Sequence, residues 1–334
     1  MKHGNIALFV PHNGCPNQCT FCNQRSITGK QYQPDAQDVD NAVREAMLAN
    51  ERYGLQYEYE IAFFGGSFTA IDRDYMLSLL KAAYKYVQDG TVSGIRLSTR
   101  PDAIDDEVLK ILKDFGVTSV ELGAQSMCDE VLTANRRGHT ADDVRNASMM
   151  IKSCGLSLGL QMMTGLYKSS DERDIYTAEE LISLAPDTVR IYPTVTMNNT
   201  PLADLLRSGE FTPSTLNESV NLCALLLKMF TENNIEVIRL GLHYSEDLER
   251  EMLSGNYHPA FKELCESRMM LGDFFDKAKD VDGKNIIAYV NPSSVSRFVG
   301  QKRANINTLS KLGYTVKVEQ DKLLSKYEIR LKVI

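Results

Sequence analysis

Short apolar runs alternate with longer amphipathic stretches through most of this chain. The apolar runs have the length of β-strands, and the stretches between them repeat apolar positions at helical spacing. The strand candidates are residues 5–12, 60–64, 94–99, 119–123, 157–163 and 188–193. The helix candidates are residues 36–53, 73–88, 105–115, 140–154 and 171–184. The pattern therefore predicts a series of β-α units.

Six β-α units in succession predict a parallel sheet with helices outside it, because right-handed crossovers pack in that way. An eight-stranded barrel is the usual closure of such a series, and six units fall short of it. Residues 239–243 are a candidate for one further strand. Beyond about residue 244 the pattern changes to helix and then to a small mixed α+β pattern. We therefore expect an α/β domain over residues 1–245 and a separate extension over residues 246–334.

Composition and charge narrow the class of protein. No apolar run approaches the length of a membrane span, so we expect neither a membrane protein nor an exported one. The seven cysteines are an odd number, which argues against a disulfide framework and for a reducing compartment such as the cytoplasm. The formal charge of -7 argues against a protein that coats nucleic acid over its whole surface, and it leaves room for a local basic patch.

Three cysteines near the start of the chain, Cys15, Cys19 and Cys22, are the strongest chemical signal. Their C-x3-C-x2-C spacing allows three thiolates on one loop to face one metal centre, and a [4Fe-4S] cluster held by three thiolates keeps one iron open. A structural zinc loop is the alternative, with His3 or His12 as a possible fourth ligand. Zinc normally takes its remaining ligands from a second closely spaced pair, and none of the other four cysteines belongs to one.

A second motif follows the second predicted strand, where Gly65 and Gly66 precede Ser67. Paired glycines let a ligand approach the backbone because no Cβ stands in the way. The alternative is an ordinary tight turn between strand and helix. The carboxyl ends of the strands are where functional groups collect in such folds, which favours the ligand.

Polar side chains also end several of the other predicted strands. An arginine at a strand end suits a carboxylate or a ribose edge, and it could equally extend into solvent. A tyrosine at a barrel mouth can stack on adenine or donate its hydroxyl. The candidates for cofactor binding are Ser98, Arg100, Gln125, Gln161 and Tyr192.

Several of these runs resemble known sequences. The cysteine spacing resembles the signature of the radical SAM superfamily, in which S-adenosylmethionine chelates the open iron of a [4Fe-4S] cluster. The runs 121–126 (Glu-Leu-Gly-Ala-Gln-Ser), 135–140 (Asn-Arg-Arg-Gly-His-Thr) and 190–194 (Arg-Ile-Tyr-Pro-Thr) resemble those of the Elongator catalytic subunit group of that superfamily. The resemblance covers roughly residues 3–245 and implies an open, TIM-like partial (β/α)6 barrel.

The resemblance also implies cofactor contacts and chemistry. Gly65, Gly66 and Ser67 would hold the cofactor's amino group, and Arg137 would meet its carboxylate. An external one-electron reductant of the flavodoxin or ferredoxin type would drive cleavage of S-adenosylmethionine to a 5'-deoxyadenosyl radical. The Elongator subunit carries an additional acetyltransferase domain, for which we expect no room in this chain, so we expect the radical chemistry without acetyl transfer.

The end of the chain resembles a KH-type RNA-binding unit, with a strand, a short helix, a glycine-led loop, a second helix and two strands. The loop begins at Gly300 and continues through Lys302 to Arg303, which stands where the KH motif has a second glycine. Residues 284–334 carry a formal charge of +7, which leaves -14 for the rest of the chain. Such separation of positive from negative charge favours a segment that binds the phosphates of a nucleic acid. The alternative is a lysine-rich face that is only exposed to solvent.

The expected function is therefore that of a radical SAM enzyme that abstracts hydrogen from RNA, most simply tRNA. One alternative is a radical SAM enzyme acting on a small metabolite, as the oxygen-independent coproporphyrinogen oxidases do. The other is a non-catalytic iron-sulfur protein that binds RNA. We expect no membrane partner.

Overall fold

Seven parallel strands form the main sheet of the computed structural model, which describes residues 2–10, 19–22, 32–54, 57–244 and 246–334. The strands lie side by side in chain order as a curled half-barrel. They are β1 (Lys2–Val10), β2 (Tyr57–Gly65), β3 (Gly94–Thr99), β4 (Val117–Gln125), β5 (Ser157–Thr164), β6 (Thr188–Pro193) and β8 (Glu236–Leu240). The predicted α/β partial barrel is thus confirmed, and it has one strand more than the six β-α units.

Helices follow most of these strands and connect each to the next. They are α1 (Ala36–Tyr53), α2 (Arg73–Gln88), α3 (Asp106–Asp114), α4 (Asp129–Ala134), α5 (Ala141–Ser153), α6 (Asp171–Ser183), α7 (Pro201–Ser208) and α8 (Leu216–Glu232). Side chains at Asp35, Thr140 and Thr215 form capping boxes that begin α1, α5 and α8. Each box satisfies backbone N-H groups that the first helical turn leaves without partners.

A two-stranded antiparallel sheet lies beyond β6. It pairs β7 (Val195–Met197) with β9 (Met252–Gly255), which follows the short helix α9 (Glu246–Glu251). The pairing joins residues on both sides of position 245, where we expected the first domain to end. The division into residues 1–245 and 246–334 stays a prediction.

The next helix, α10 (Phe261–Ala278), packs on two hydrophobic cores. Phe261, Cys265 and Met269 belong to the core of the half-barrel, whereas Met270 and Phe274 belong to the core of the C-terminal unit. One amphipathic helix with two apolar faces therefore attaches the C-terminal unit to the barrel.

The C-terminal unit has the order of elements that the sequence predicted. Its elements are β10 (Asn285–Val290), α11 (Val295–Val299), α12 (Ala304–Lys311), β11 (Thr315–Gln320) and β12 (Ile329–Val333). The strand β10 is central, parallel to β11 and antiparallel to β12. In the described ranges, no helix combines the length and the apolar character needed to cross a bilayer.

Candidate functional site

The second and third cysteines of the motif lie in a short described segment that packs against the loop after β4. Cys19 is buried and Cys22 is half-buried, and the Cys22 N-H donates to the Cys19 carbonyl at 3.1 Å. Cys15 falls outside the described residues, and the described part of the chain holds no group of three or more metal-ligating side chains. The three-thiolate site therefore stays a prediction. Two of its three cysteines, Cys19 and Cys22, lie on one described turn.

Asn135 anchors the cysteine segment, a role that our sequence interpretation did not assign to it. Its side chain is fully buried, and its Oδ1 accepts from the Thr20 hydroxyl at 2.7 Å. Its Nδ2 donates to the carbonyls of Val131 and Tyr167, both at 2.8 Å. The Thr20 N-H also donates to the Asn135 carbonyl at 3.1 Å. Thr20 lies between the two cysteines, so Asn135 fixes their position.

Asn135→Ala should therefore loosen the cysteine segment. Removing one buried amide strands the Thr20 hydroxyl and two carbonyls, which should cost about 2–3 kcal/mol of unfolding free energy. We expect urea unfolding at a lower midpoint and less iron bound after anaerobic reconstitution. Asn146→Ala is the matched control, because Asn146 is exposed on α5. Equal stability and iron content in the two variants would contradict this role.

Arg137 is a predicted site residue that contacts a cysteine of the motif. Its Nη1 donates to Cys19 Sγ at 3.3 Å, and its Nη2 donates to the Gly123 carbonyl at 2.8 Å. Arg100 is buried, pairs with Asp102 and donates from Nη2 to the Arg137 carbonyl at 3.0 Å. The two arginines thus form one layer beneath the cysteine segment.

Unpaired polar atoms mark the space beside this layer. Gln125 has a positive φ of 65°. Among the residues that the structure describes, neither its buried Oε1 nor the buried Arg137 Nε has a hydrogen-bond partner. A Cβ on Gly123 would lie 3.0 Å from Gln125 Nε2 and 3.5 Å from Arg137 Nη2. The glycine therefore leaves room for the Gln125 amide and the Arg137 guanidinium. Buried polar groups rarely stay unpaired, and an acceptor and a donor next to Cys19 fit a polar ligand such as S-adenosylmethionine.

The Gly65–Ser67 turn lies at the carboxyl end of β2, as predicted. Gly65 has a φ of 113°, and a Cβ there would lie 2.3 Å from the Phe9 ring. This glycine is therefore required by packing, whether or not a ligand approaches it. The Gly66 N-H donates to the Val10 carbonyl at 2.9 Å, which fixes the turn beside the end of β1 and the start of the cysteine loop.

Ser98 and Gln161 meet on the inner face of the sheet. Gln161 Nε2 donates to Ser98 Oγ at 3.2 Å and to Glu121 Oε2 at 3.1 Å. Gln161 is the register partner of Gly123, which places this group next to the Arg137 layer. Tyr192 is half-buried on β6, where burial raises the pKa of its hydroxyl and Arg190 opposes the rise.

Glu121 is the centre of an ion network that the sequence motif contained but that we had not assigned. It is buried and accepts hydrogen bonds from Arg190 Nε and from Arg190 Nη2, the latter at 2.9 Å. It also forms an ion pair with Arg96 Nη2 at 3.4 Å. Burial opposes the charge on Arg190, but the hydrogen bonds to Glu121 outweigh burial and raise the arginine pKa. A Cβ on Gly159 would lie 2.7 Å from Glu121 Cγ, so glycine on β5 lets Glu121 reach β6.

His139 gives the site a pH dependence. Its Nε2 lies 3.1 Å from the Ala124 carbonyl, and burial together with the Arg137 charge lowers its pKa to about 4. Between about pH 6.5 and pH 4 the unfolded chain binds the proton and the folded chain does not, so stability falls as the pH falls through this range. The loss is up to roughly 3 kcal/mol, since one pKa unit is about 1.4 kcal/mol.

The stability difference between wild type and His139→Gln should therefore shrink as the pH falls. Urea midpoints at steps from pH 7.5 to pH 4 measure it. Buried Asp174 titrates in the opposite sense, because burial raises its pKa to about 6. The urea midpoints with His139 and with His139→Gln are therefore also measured in an Asp174→Asn background. A difference that does not change with pH would contradict a neutral, buried His139.

The predicted tail residues lie together at a separate place, on the loop between α11 and α12. Gly300, Lys302 and Arg303 line a cavity of about 340 Å³ with Arg297 and part of α10. Gly300 has a φ of 80°, and a Cβ there would lie 2.9 Å from the Asn305 amide nitrogen. Lys302 and Arg303 have φ values of 50° and 62°, so two basic residues hold the left-handed conformation in succession.

Comparisons with known proteins identify the family to which the chain belongs. The Radical SAM superfamily profile matches residues 9–181, more than half of the chain, and a Radical_SAM C-terminal domain profile matches residues 186–270. A tRNA uridine(34) acetyltransferase of Dehalococcoides mccartyi is 26% identical over 240 residues, which are 62% of this chain and 52% of that protein. Elongator complex protein 3 of Dictyostelium discoideum is 26% identical over 312 residues, or 85% of this chain and 54% of that protein.

A solved structure shows the same fold. Archaeal Elp3 of Methanocaldococcus infernus, with an N-terminal deletion, superposes with a TM-score of 0.63 at 20% identity. The match covers 85% of this chain and 65% of that one. The chain spans about half the length of the curated relatives described above.

Proposed function

Because the chain belongs to the radical SAM superfamily and is an S-adenosylmethionine-dependent enzyme related to tRNA-modifying Elongator proteins, we propose that it performs radical chemistry on RNA, with tRNA as the simplest substrate. Cys15, Cys19 and Cys22 hold a [4Fe-4S] cluster in this proposal. The observation that carries it is the position of Cys19, which is buried beside Arg137 and next to unpaired polar atoms at the carboxyl ends of the strands.

The chain's own residues would hold the cofactors as follows. Arg137 donates to Cys19 Sγ and so orients the sulfur that would ligate iron. Its unpaired Nε is a donor for the carboxylate of S-adenosylmethionine, and Gln125 Oε1 is an acceptor for the amino group or a ribose hydroxyl. Gly65 to Ser67 border the same edge of the sheet. A bound cluster would pass an electron from the external donor to S-adenosylmethionine, and the reductive cleavage would yield a 5'-deoxyadenosyl radical that takes a hydrogen atom from the substrate.

The ion network deeper in the half-barrel would keep the sheet closed around the reaction. Glu121 connects strands β3, β4 and β6 through Arg96 and Arg190, so fixed charges occupy part of the inner face and would leave less room there for mobile water. A radical needs such exclusion, because stray hydrogen donors would quench it. A small external electron donor of the flavodoxin or ferredoxin type would supply the electron.

The RNA part of the proposal is supported by the C-terminal loop. Residues 284–334 have a formal charge of +7, and the Gly300 loop presents Lys302 and Arg303 at its exposed tip. Arg303 occupies the position of the second glycine of the KH motif, and it has the left-handed backbone that a glycine would adopt freely. Such strain costs of order 1 kcal/mol and is retained mainly at functional sites.

Substituting Lys302 and Arg303 together by alanine should weaken tRNA binding. Loss of two phosphate contacts should lower the slope of log K against log salt by roughly 1.5 for single-stranded contacts. Fluorescence anisotropy with bulk tRNA at several salt concentrations measures the slope. The control is Arg52→Ala with Lys81→Ala, which removes two exposed charges from α1 and α2.

Arg303→Gly separates loop shape from charge. Glycine keeps the left-handed conformation, so this variant should be as stable as wild type or slightly more stable, and it should still bind tRNA more weakly. Unchanged tRNA affinity and salt slope in the double alanine variant would reject the loop as an RNA contact.

A further inference from the structure

A row of side chains crosses the inner face of the half-barrel on strands β4, β5, β6 and β8. Gly123 is the register partner of Gln161, Gln161 that of Arg190, and Arg190 that of Arg239. Parallel neighbours in register point to the same face of a sheet. Two arginines therefore lie side by side at the β8 end of the row, on the edge of the sheet opposite β1.

The two arginines differ in their ionic partners. Arg190 is paired with Glu121, whose two oxygens also receive Arg96 and Gln161 and so have no capacity left for a further cation. Arg239 donates from Nε to the Gly241 carbonyl at 3.0 Å, and among the described residues no carboxylate lies within ion-pair distance of it.

The surroundings of Arg239 disfavour its charge in the resting protein. Burial lowers its pKa, and the neighbouring Arg190 adds to the effect. A half-buried guanidinium beside a second cation is unfavourable unless an anion completes the site. The buried Tyr257 hydroxyl has no hydrogen-bond partner among the described residues. Tyr257 opposes the lowering of the Arg239 pKa, and its hydroxyl is a neutral donor.

We propose that Arg239, with Arg190 beside it and the Tyr257 hydroxyl, forms a subsite for a phosphate group of the substrate. Guanidinium forks bind phosphate oxygens bidentately, and the charge of the anion would neutralise the one arginine of this row that has no carboxylate. The subsite rests on the proposed function only in that the substrate enters the half-barrel, since phosphate binding requires neither turnover nor RNA.

Inorganic phosphate is the probe for the first test. The full chain is titrated calorimetrically at constant ionic strength as wild type, Arg239→Gln, Arg239→Lys, Arg52→Gln and the double variant Lys302→Ala with Arg303→Ala. Arg239→Gln should weaken binding at least about tenfold, Arg239→Lys should weaken it less, and the exposed control Arg52→Gln should match wild type. Affinity in Arg239→Gln within twofold of wild type would overturn the proposal, and so would loss confined to the Lys302 and Arg303 variant.

Three further measurements identify the source of the anion and guard against misfolding. Uridine monophosphate should displace inorganic phosphate, and uridine should not. Equal displacement by both compounds would show that the site does not recognise the phosphate group. S-adenosylmethionine should not displace phosphate, because displacement would assign Arg239 to the cofactor carboxylate instead. In phosphate-free buffer Arg239→Gln should unfold at the same urea concentration as wild type or a higher one, and clear destabilisation would make Arg239 a structural residue.

Discussion

Cys19→Ala is expected to lose the bound cluster and, with it, all reductive cleavage of S-adenosylmethionine. A [4Fe-4S] cluster with three protein thiolates has no spare ligand, so two thiolates should not retain it through purification. Cys19 is also the buried member of the described pair and the acceptor of the Arg137 hydrogen bond. We therefore expect iron and sulfide contents near zero after anaerobic reconstitution and no release of 5'-deoxyadenosine.

The control for this variant is Cys154→Ala, which removes a half-buried thiol at the end of α5. It should keep wild-type iron content and the wild-type yield of 5'-deoxyadenosine. Iron retained in Cys19→Ala, or lost equally from Cys154→Ala, would show that the motif does not hold the cluster as proposed.

Glu121→Gln should cause the largest loss of stability. The substitution removes the anion that Arg96 and Arg190 share, so Arg190 loses its ion pair while Arg96 keeps the one with Glu60. Breaking a buried ion pair by removing one partner costs about 3–5 kcal/mol. Glutamine has nearly the same shape, so the loss reports charge rather than packing. The expected result is a lower urea midpoint with an unchanged m-value.

Glu179→Gln is the matched control, because Glu179 is exposed on α6 and should change stability by less than about 0.5 kcal/mol. A double-mutant cycle with Arg190→Gln tests the pairing itself. The double variant should lose less than the sum of the two single losses, since each single variant already breaks the same pair. Additive losses, or a loss below about 1 kcal/mol in Glu121→Gln, would contradict the network.

Periodicity and capping located most elements well. The predicted bounds of α1, α2, β3 and β6 agree with the structure. Each of these elements is bounded by a cap residue, a glycine or a proline, which can be recognised from the local sequence alone. The seventh strand β8 was placed three residues late, since its five residues contain two charges and the clear signal is Gly241 after it. The strands β7 and β9 were not predicted, because they are short and pair across more than fifty residues.

Individual residues of the site could be predicted from the sequence, but the contacts between them could not. The resemblance selected Arg137, yet its bond to Cys19 joins residues 118 positions apart, which no local pattern reports. Glu121 lay within a quoted motif, and its role became visible only when β4 and β6 were seen to face each other across Gly159. The backbone conformation of Arg303 could not be predicted either, because an arginine rarely adopts the left-handed region that it occupies here.

The central claim is that this radical SAM enzyme acts on RNA, and the most direct test is the yield of 5'-deoxyadenosine with and without tRNA. Wild-type protein, reconstituted anaerobically, is incubated with S-adenosylmethionine and dithionite alone, with bulk tRNA, and with tRNA digested to nucleotides. We predict release that intact tRNA increases and that digested tRNA does not. Release that is indifferent to tRNA would contradict an RNA substrate and direct the search to small metabolites, and no release under any condition would contradict the radical chemistry itself.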